Sequence, residues 1–219
     1  DVASRFHDRF GVHLTEGFGL TETSPVTNVC MPHQHRPGSV GPPVPDVIQR
    51  IVDIETDAVL PPGQEGELRI HGPNVMKGYF NLPDQTAEAF DREGFFRTGD
   101  MARIDEDQHL YITGRLKEML IVGGENVFPR EIEEVLNDHP AVHASGVVGE
   151  IDPVRGEVPV AFIQPEEDMA IDEGELKALC RERLAGYKVP RRIVVLDELP
   201  RNPTGKILRR ELKAMLGAD

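Results

Sequence analysis

Phe95-Phe96-Arg97-Thr98-Gly99-Asp100, Gly114-Arg115-Leu116-Lys117-Glu118 and Gly123-Gly124-Glu125-Asn126 set three polar clusters between apolar segments too short to form a core of their own. Polar groups spaced this way are better explained by a ligand than by packing. A Thr-Gly-Asp turn offers a hydroxyl, a tight backbone and a carboxylate, a set suited to a sugar diol. Arg115 adds a fixed fork of donors for an anion or a hydroxyl. Gly123 and Gly124 let the backbone approach a ligand closely or turn through positive φ. Two ordinary hairpin turns and a loop account for the same residues equally well.

The pattern on either side of Lys117 differs. Before it, alternating apolar residues over 47–72 are broken by Pro61-Pro62-Gly63 and Gly66, the signature of short antiparallel strands. Pro83 opens a helix capped by Asp84 with Ala87 and Phe90 inward, and strands over 101–104 and 110–113 flank an Asp105-Glu106-Asp107 turn. Nearer the start, Phe6 and Phe10 predict a helix over 2–10, followed by a strand over 13–15. His7 and His13 have no partner in the pattern, and residues 31–46 read as a stiff Pro- and Gly-rich loop without a metal-ligand set around His33 and His35. After Lys117 helix and strand alternate. Helices are expected from Pro129, over 172–184 and over 207–216, with strands over 144–148, 158–163 and 193–196. The expectation is an α+β protein in two parts: 1–116, ending in an antiparallel barrel-like sheet, and 117–219, a small three-stranded α+β domain.

The 219 residues suffice for one or two cored domains, and the 39% apolar and 28% charged shares are those of a globular protein. No run of eighteen apolar residues exists, so a spanning helix is not expected. Cys30 and Cys180 follow no metal spacing and read as reduced thiols of a cytoplasmic protein. A net charge of −14 argues against nucleic acid as a partner. The charge is uneven, since residues 181–219 hold ten Lys or Arg against five Asp or Glu. A basic tail beside an acidic body suits an anionic cofactor or an inter-domain charge match.

Two further stretches bear on chemistry. In Gly17-Phe18-Gly19-Leu20-Thr21-Glu22-Thr23-Ser24-Pro25, two glycines around an aromatic ring leave a flat surface for a purine. Thr21 adds a hydroxyl, and Glu22 a hard carboxylate of the kind Mg²⁺ takes alongside phosphate oxygens. A Gly-rich strand-to-helix corner with a capping Thr reads equally well. Near the end, Asn202-Pro203-Thr204-Gly205-Lys206-Ile207-Leu208-Arg209 presents an ammonium on a short turn.

In order and approximate spacing, these motifs resemble the class I adenylate-forming enzymes, the superfamily of acyl-CoA synthetases, luciferases and peptide-synthetase adenylation domains. The resemblance runs over nearly the whole chain and looks closest to bacterial fatty-acyl-CoA ligases. It implies that ATP and a carboxylic acid give an acyl-adenylate, which CoA converts to acyl-CoA and AMP. It implies that Thr21 contacts phosphate, Glu22 holds Mg²⁺ and Phe18, between Gly17 and Gly19, lines the adenine site, where Tyr is more usual. Asp100 would bind the ribose, Arg115 would support the nucleotide and Gly41 would line the acyl pocket. Residues 1–116 would be the C-terminal portion of the large AMP-binding domain, and 117–219 a mobile lid hinged at Lys117. The lid would deliver Lys206 for adenylation, and then the Gly123-Gly124 loop for the pantetheine thiol. The family's phosphate loop and aromatic acyl-pocket segment precede the first motif and are not in this sequence. The resemblance therefore implies a chain that needs the rest of its N-terminal domain and does not turn over alone. An acyl-AMP ligase that loads a carrier protein, and a non-catalytic nucleotide-binding module, are the alternatives.

Overall fold

The computed structural model describes residues 2–217; Asp1, Ala218 and Asp219, the outermost positions of the two expected domains, lie outside them. The fold is α+β, and the chain divides into two compact bodies, one ending at Leu116 and the other beginning at Lys117.

The first body starts with helix α1 (Val2–Phe10). No strand forms over 13–15; instead the ring of His13 stacks between those of His7 and His35, at centroid distances of 3.9 and 4.5 Å. The Gly-Phe-Gly segment is itself strand β1 (Gly17–Gly19), paired antiparallel with β2 (Val26–Val29). Strands β3 (Ile48–Val52) and β4 (Glu65–His71), helix α2 (Pro83–Ala89), and strands β5 (Phe96–Ile104) and β6 (Leu110–Arg115) follow. The four strands make an open antiparallel sheet in chain order, so the expected barrel-like end does not close. Helix α2 also differs in detail: Leu82 is its N-cap and Ala87 is exposed, while the half-buried Thr86 faces the preceding segment, its hydroxyl accepting from the Tyr79 amide at 2.9 Å.

Period-two alternation gives this sheet two unlike faces. One buries Ile51, Leu68, Ile70, Ala102, Ile104 and Leu110 with Val40 and Val47. On the other, Arg50 stands opposite Arg69 and Arg69 opposite Arg97, a row of like charges that would repel if left alone. Carboxylates interleave with it. Asp91 lies 2.6 Å from Arg50 and 3.2 Å from Arg69, Glu67 3.0 Å from Arg69, and Asp57 also pairs with Arg69. The Arg50 guanidinium covers the Phe95 ring at 3.8 Å.

The second body carries five strands. The three expected ones are β9 (Val142–Asp152), β10 (Gly156–Pro165) and β11 (Arg192–Val195). A hairpin of β7 (Leu120–Val122) and β8 (Glu125–Val127) adds two, each of three residues and so too short for a sequence pattern to register. Strands β9 and β10 form a long antiparallel ladder, and β11 runs parallel to β10. Helices α3 (Pro129–Asn137) and α4 (Glu173–Arg183) cover one face, where Val147, Ala161 and Ile163 meet Ile132, Leu136 and Leu176. Helix α5 (Arg209–Leu216) covers the other, setting Leu212 among Ala144, Val148, Val160 and Phe162. A sheet covered on both faces needs nearly continuous apolar strands, and β9 and β10 have them. Among the described residues no helix is long and apolar enough to cross a membrane.

Asp172 caps α4 by accepting from the backbone amides of Gly174 at 2.7 Å and Glu175 at 3.2 Å. Asp172→Ala is expected to lower stability by about 1 kcal/mol, read as a lower urea midpoint at unchanged slope.

Candidate functional site

Thr98-Gly99-Asp100 does not turn between strands. It lies inside β5, where Glu67 pairs with Met101 and Arg69 with Arg97, so Leu68 alone faces three residues. This bulge is pinned by the Thr98 hydroxyl, which donates to the Leu68 carbonyl at 2.7 Å and accepts from the Asp100 amide at 3.0 Å. Gly99 takes φ +68°, a left-handed conformation that costs other residues but not glycine. Asp100 is thereby buried at 3% exposure, in register with Arg115 on β6, whose Nε lies 3.0 Å from its carboxylate. The carboxylate and guanidinium that the sequence singled out form one ion pair.

The first motif is a hairpin with a tight corner. A Cβ on Gly19 would come within 1.6 Å of the Pro25 carbonyl oxygen, so the closeness of β1 to the returning chain requires glycine there. Gly17 is exposed at the start of the same strand. Phe18 is half-buried and packs against the core of the four-stranded sheet, so it is a partly covered ring and not an open platform. Gly41 is buried, its carbonyl accepting from the Asn28 side chain at 3.0 Å and the Leu110 amide at 3.2 Å. Thr21 and Glu22 follow Leu20 in one turn of 3₁₀ helix, the threonine exposed and the glutamate half-buried. Glu22 is held from two sides: the Tyr79 phenol donates to its carboxylate at 3.0 Å, and the Met76 amide to its carbonyl at 2.8 Å. Among the described residues no cluster of three or more His, Cys, Asp or Glu could hold a metal ion. A glutamate carboxylate beside an exposed threonine hydroxyl fits the way Mg²⁺ binds with nucleotide phosphates, which supply most of its oxygens.

In the second body Lys117 is exposed within a 3₁₀ turn that ends at Glu118. Gly123 and Gly124 link β7 to β8 as a two-residue turn with φ +63° and +92°, the paired positive values of a type I′ hairpin. Lys206 sits on a loop closed by Asn202, whose side-chain oxygen accepts from the amides of Thr204 at 3.1 Å and Lys206 at 2.8 Å and from the Thr204 hydroxyl at 2.8 Å. The lysine is exposed and forms no ion pair with any described residue. Three residues on, Arg209 reaches Glu118 at 3.1 Å and Glu133 at 2.6 Å. Glu133 also accepts from the Val147 amide at 2.7 Å. Burial pushes the Glu133 carboxyl above its ordinary range, although Arg209 and the amide pull the other way. A separate hollow of about 400 Å³ gathers four cationic side chains, Arg155, Lys177, Arg181 and Arg191, around Tyr187.

Sequence reading passed over Tyr79, Asn74, Arg209 and Glu133. No local pattern around Tyr79 points to Glu22, fifty-seven positions upstream.

Residues 1–80 match the model of the AMP-binding enzyme family, and residues 131–206 that of the AMP-binding enzyme C-terminal domain. The chain belongs to this family, within the class I adenylate-forming superfamily. It is 42% identical to a feruloyl-CoA synthase of Amycolatopsis sp over 99% of its own length, but spans only 44% of that relative. It is also 42% identical to a long-chain-fatty-acid–CoA ligase of Bacillus subtilis, over 97% of this chain and 38% of that one. Among solved structures, ATP-bound MatB from Rhodopseudomonas palustris aligns with a TM-score of 0.92 at 35% identity, over all of this chain and 43% of that protein. The chain thus covers less than half the length of the family members it matches.

In this member of the family, Glu133 offers a pH test. A carboxyl whose pKa rises on folding favours the native state below its unfolded value, and that contribution is lost as pH rises through the folded value. Glu133→Gln should therefore gain stability relative to the parent chain between about pH 4 and about pH 7, read from urea melts at the two ends. A constant difference would contradict the assignment.

Proposed function

We propose that the chain is part of an acyl-CoA synthetase of the fatty-acid–CoA ligase type, adenylating a carboxylic acid with ATP and passing the acyl group to CoA. The observation that carries the reading is Lys206: an exposed ammonium, unpaired among the described residues, on a loop stiffened by Asn202 in a chain of this family. A carboxylate resists attack because its oxygen is a poor leaving group, and joining it to AMP cures that. The acid's oxygen attacks the α-phosphorus as the bond to pyrophosphate breaks, and negative charge accumulates on the phosphate oxygens. Lys206 answers that charge. Removing it should cost roughly 3 kcal/mol of transition-state stabilisation.

In the first body Asp100 accepts from the ribose hydroxyls while Arg115 holds its carboxylate in place. Thr21 donates to phosphate, and Phe18 with Gly17 and Gly19 borders the adenine. Glu22 would hold Mg²⁺, which when bound neutralises phosphate charge. Gly41 stands at the acyl side. In the second step the thiol sulfur attacks the acyl carbon, the C–O bond to AMP breaks and the thiol proton leaves to solvent. The hairpin turn at Gly123-Gly124 would guide that thiol, and Lys117 would be the hinge between the two steps, at the junction of the large-domain portion and the lid.

The cationic hollow supports CoA as acceptor, because CoA carries phosphate and diphosphate groups that a carrier-protein surface does not offer in one spot. Exposed Phe10, Val12, Leu14, Val29 and Met31 support a further partner, the rest of the large domain. Two buried free cysteines suit the reducing cytoplasm.

In the full-length protein, Lys206→Ala should cut acid-dependent pyrophosphate exchange by about a hundredfold yet spare thioester formation from supplied acyl-adenylate. Equal loss of both steps would refute its role. Arg155→Gln with Arg181→Gln should raise the KM for CoA about tenfold without changing adenylation. An unchanged KM, with acyl transfer only to a carrier protein, would favour the acyl-AMP ligase.

A further inference from the structure

We propose that Tyr79 is a positioning residue for Glu22, its phenol holding one carboxylate oxygen so that the other faces the metal of a bound nucleotide. This rests on the reading of Glu22 as the Mg²⁺ ligand and adds to it the residue that aims the ligand.

The segment that follows the four-stranded sheet's second strand braces the first motif at four points. The Asn74 side chain donates to the Thr23 and Val26 carbonyls, each at 3.0 Å. The Met76 amide donates to the Glu22 carbonyl at 2.8 Å, and the Tyr79 phenol to Oε1 of the Glu22 carboxylate at 3.0 Å. The tyrosine is itself fixed, since its amide donates to the Thr86 hydroxyl at 2.9 Å and that hydroxyl donates to the Leu82 carbonyl at 2.9 Å. A chain of contacts thus runs from the start of α2 to a single carboxylate oxygen.

Such a chain has a purpose only if the direction of the carboxylate matters. A glutamate side chain has three rotatable bonds and a broad terminal torsion, so an unrestrained carboxylate points many ways. Among the described residues no cluster of three or more His, Cys, Asp or Glu exists that could hold a metal ion by itself, so the direction of the Glu22 carboxylate bears on how it meets a metal carried by phosphate oxygens. One donor on Oε1 fixes the carboxylate plane and leaves Oε2 for the metal. A stabilising contact alone would not need the Glu22 side chain, because Asn74 and Met76 already tie this segment to the motif through the backbone.

Tyr79→Phe keeps the ring and removes the donor. Mn²⁺ serves as the probe, its binding to the full-length protein with ATP followed by water-proton relaxation. The dissociation constant for Mn²⁺ should rise about tenfold, while metal-free ATP binding and the metal-free melting temperature stay near those of the parent. In a Glu22→Gln background, itself weakened in metal binding, Tyr79→Phe should add nothing. A Tyr79→Phe protein with unchanged Mn²⁺ affinity, or an equal loss in both backgrounds, overturns the proposal. Normal Mn²⁺ affinity in Glu22→Gln alone would bring down the metal reading of Glu22, and this proposal with it.

Discussion

One hydroxyl-to-carbonyl contact organises the first body. Thr98 has to reach the Leu68 carbonyl for β5 to keep two extra residues opposite a single residue of β4. Without that pin the ladder would close in regular register. Continued from the Arg69–Arg97 pair, a regular β5 would set Asp100 opposite Gly66, the place Ala102 now holds, and so carry it away from its present position. With the pin, Gly99 absorbs the reversal and Asp100 is carried inward against Arg115. A buried carboxylate is costly unless it is paired, and the cross-strand guanidinium supplies that pairing and directs it. The feature that bends the sheet is the same one that makes a ribose-binding group of its aspartate under the proposed function.

The sheet around that bulge carries charge by design of its register. Alternation places Arg50, Arg69 and Arg97 side by side, an arrangement that stands only because Asp91, Glu67 and Asp57 interleave with it. Asp91 also accepts from the Phe95 amide at 2.9 Å, so the ion network fixes the entry to β5 and with it the bulge. Packing on one face and charge balance on the other hold the same strand.

The second body handles the same problem differently. Its long strands are apolar on both sides because helices cover both, and a sheet of that kind is stiff. Arg209 ties the first turn of α5 to Glu118, next to Lys117, and to Glu133 on α3. Lys206 and the residue proposed as hinge are therefore anchored to one framework, so movement of one as a body carries the other.

By itself the sequence determined the α+β class, the change of pattern at Lys117 and most of the second body. Long periodic segments such as 129–137 and 158–163 encode their own helix or strand through the spacing of apolar residues. The motifs at Thr21-Glu22, Asp100, Arg115 and Lys206 were equally visible, because glycine and charge in fixed order are local properties. The bulge was hidden, since Thr-Gly-Asp reads as a turn until Leu68, thirty residues away, offers its carbonyl. The Gly123-Gly124 turn was legible, but its flanking strands of three residues were too short to read, and they join the larger sheet only where Val122 meets Gly156 of β10. Tyr79 and Arg209 belong to the same class. Their partners lie 57 and 76 positions distant, and only the folded chain brings those groups together, because a side-chain hydrogen bond is a matter of distance in space and not in sequence.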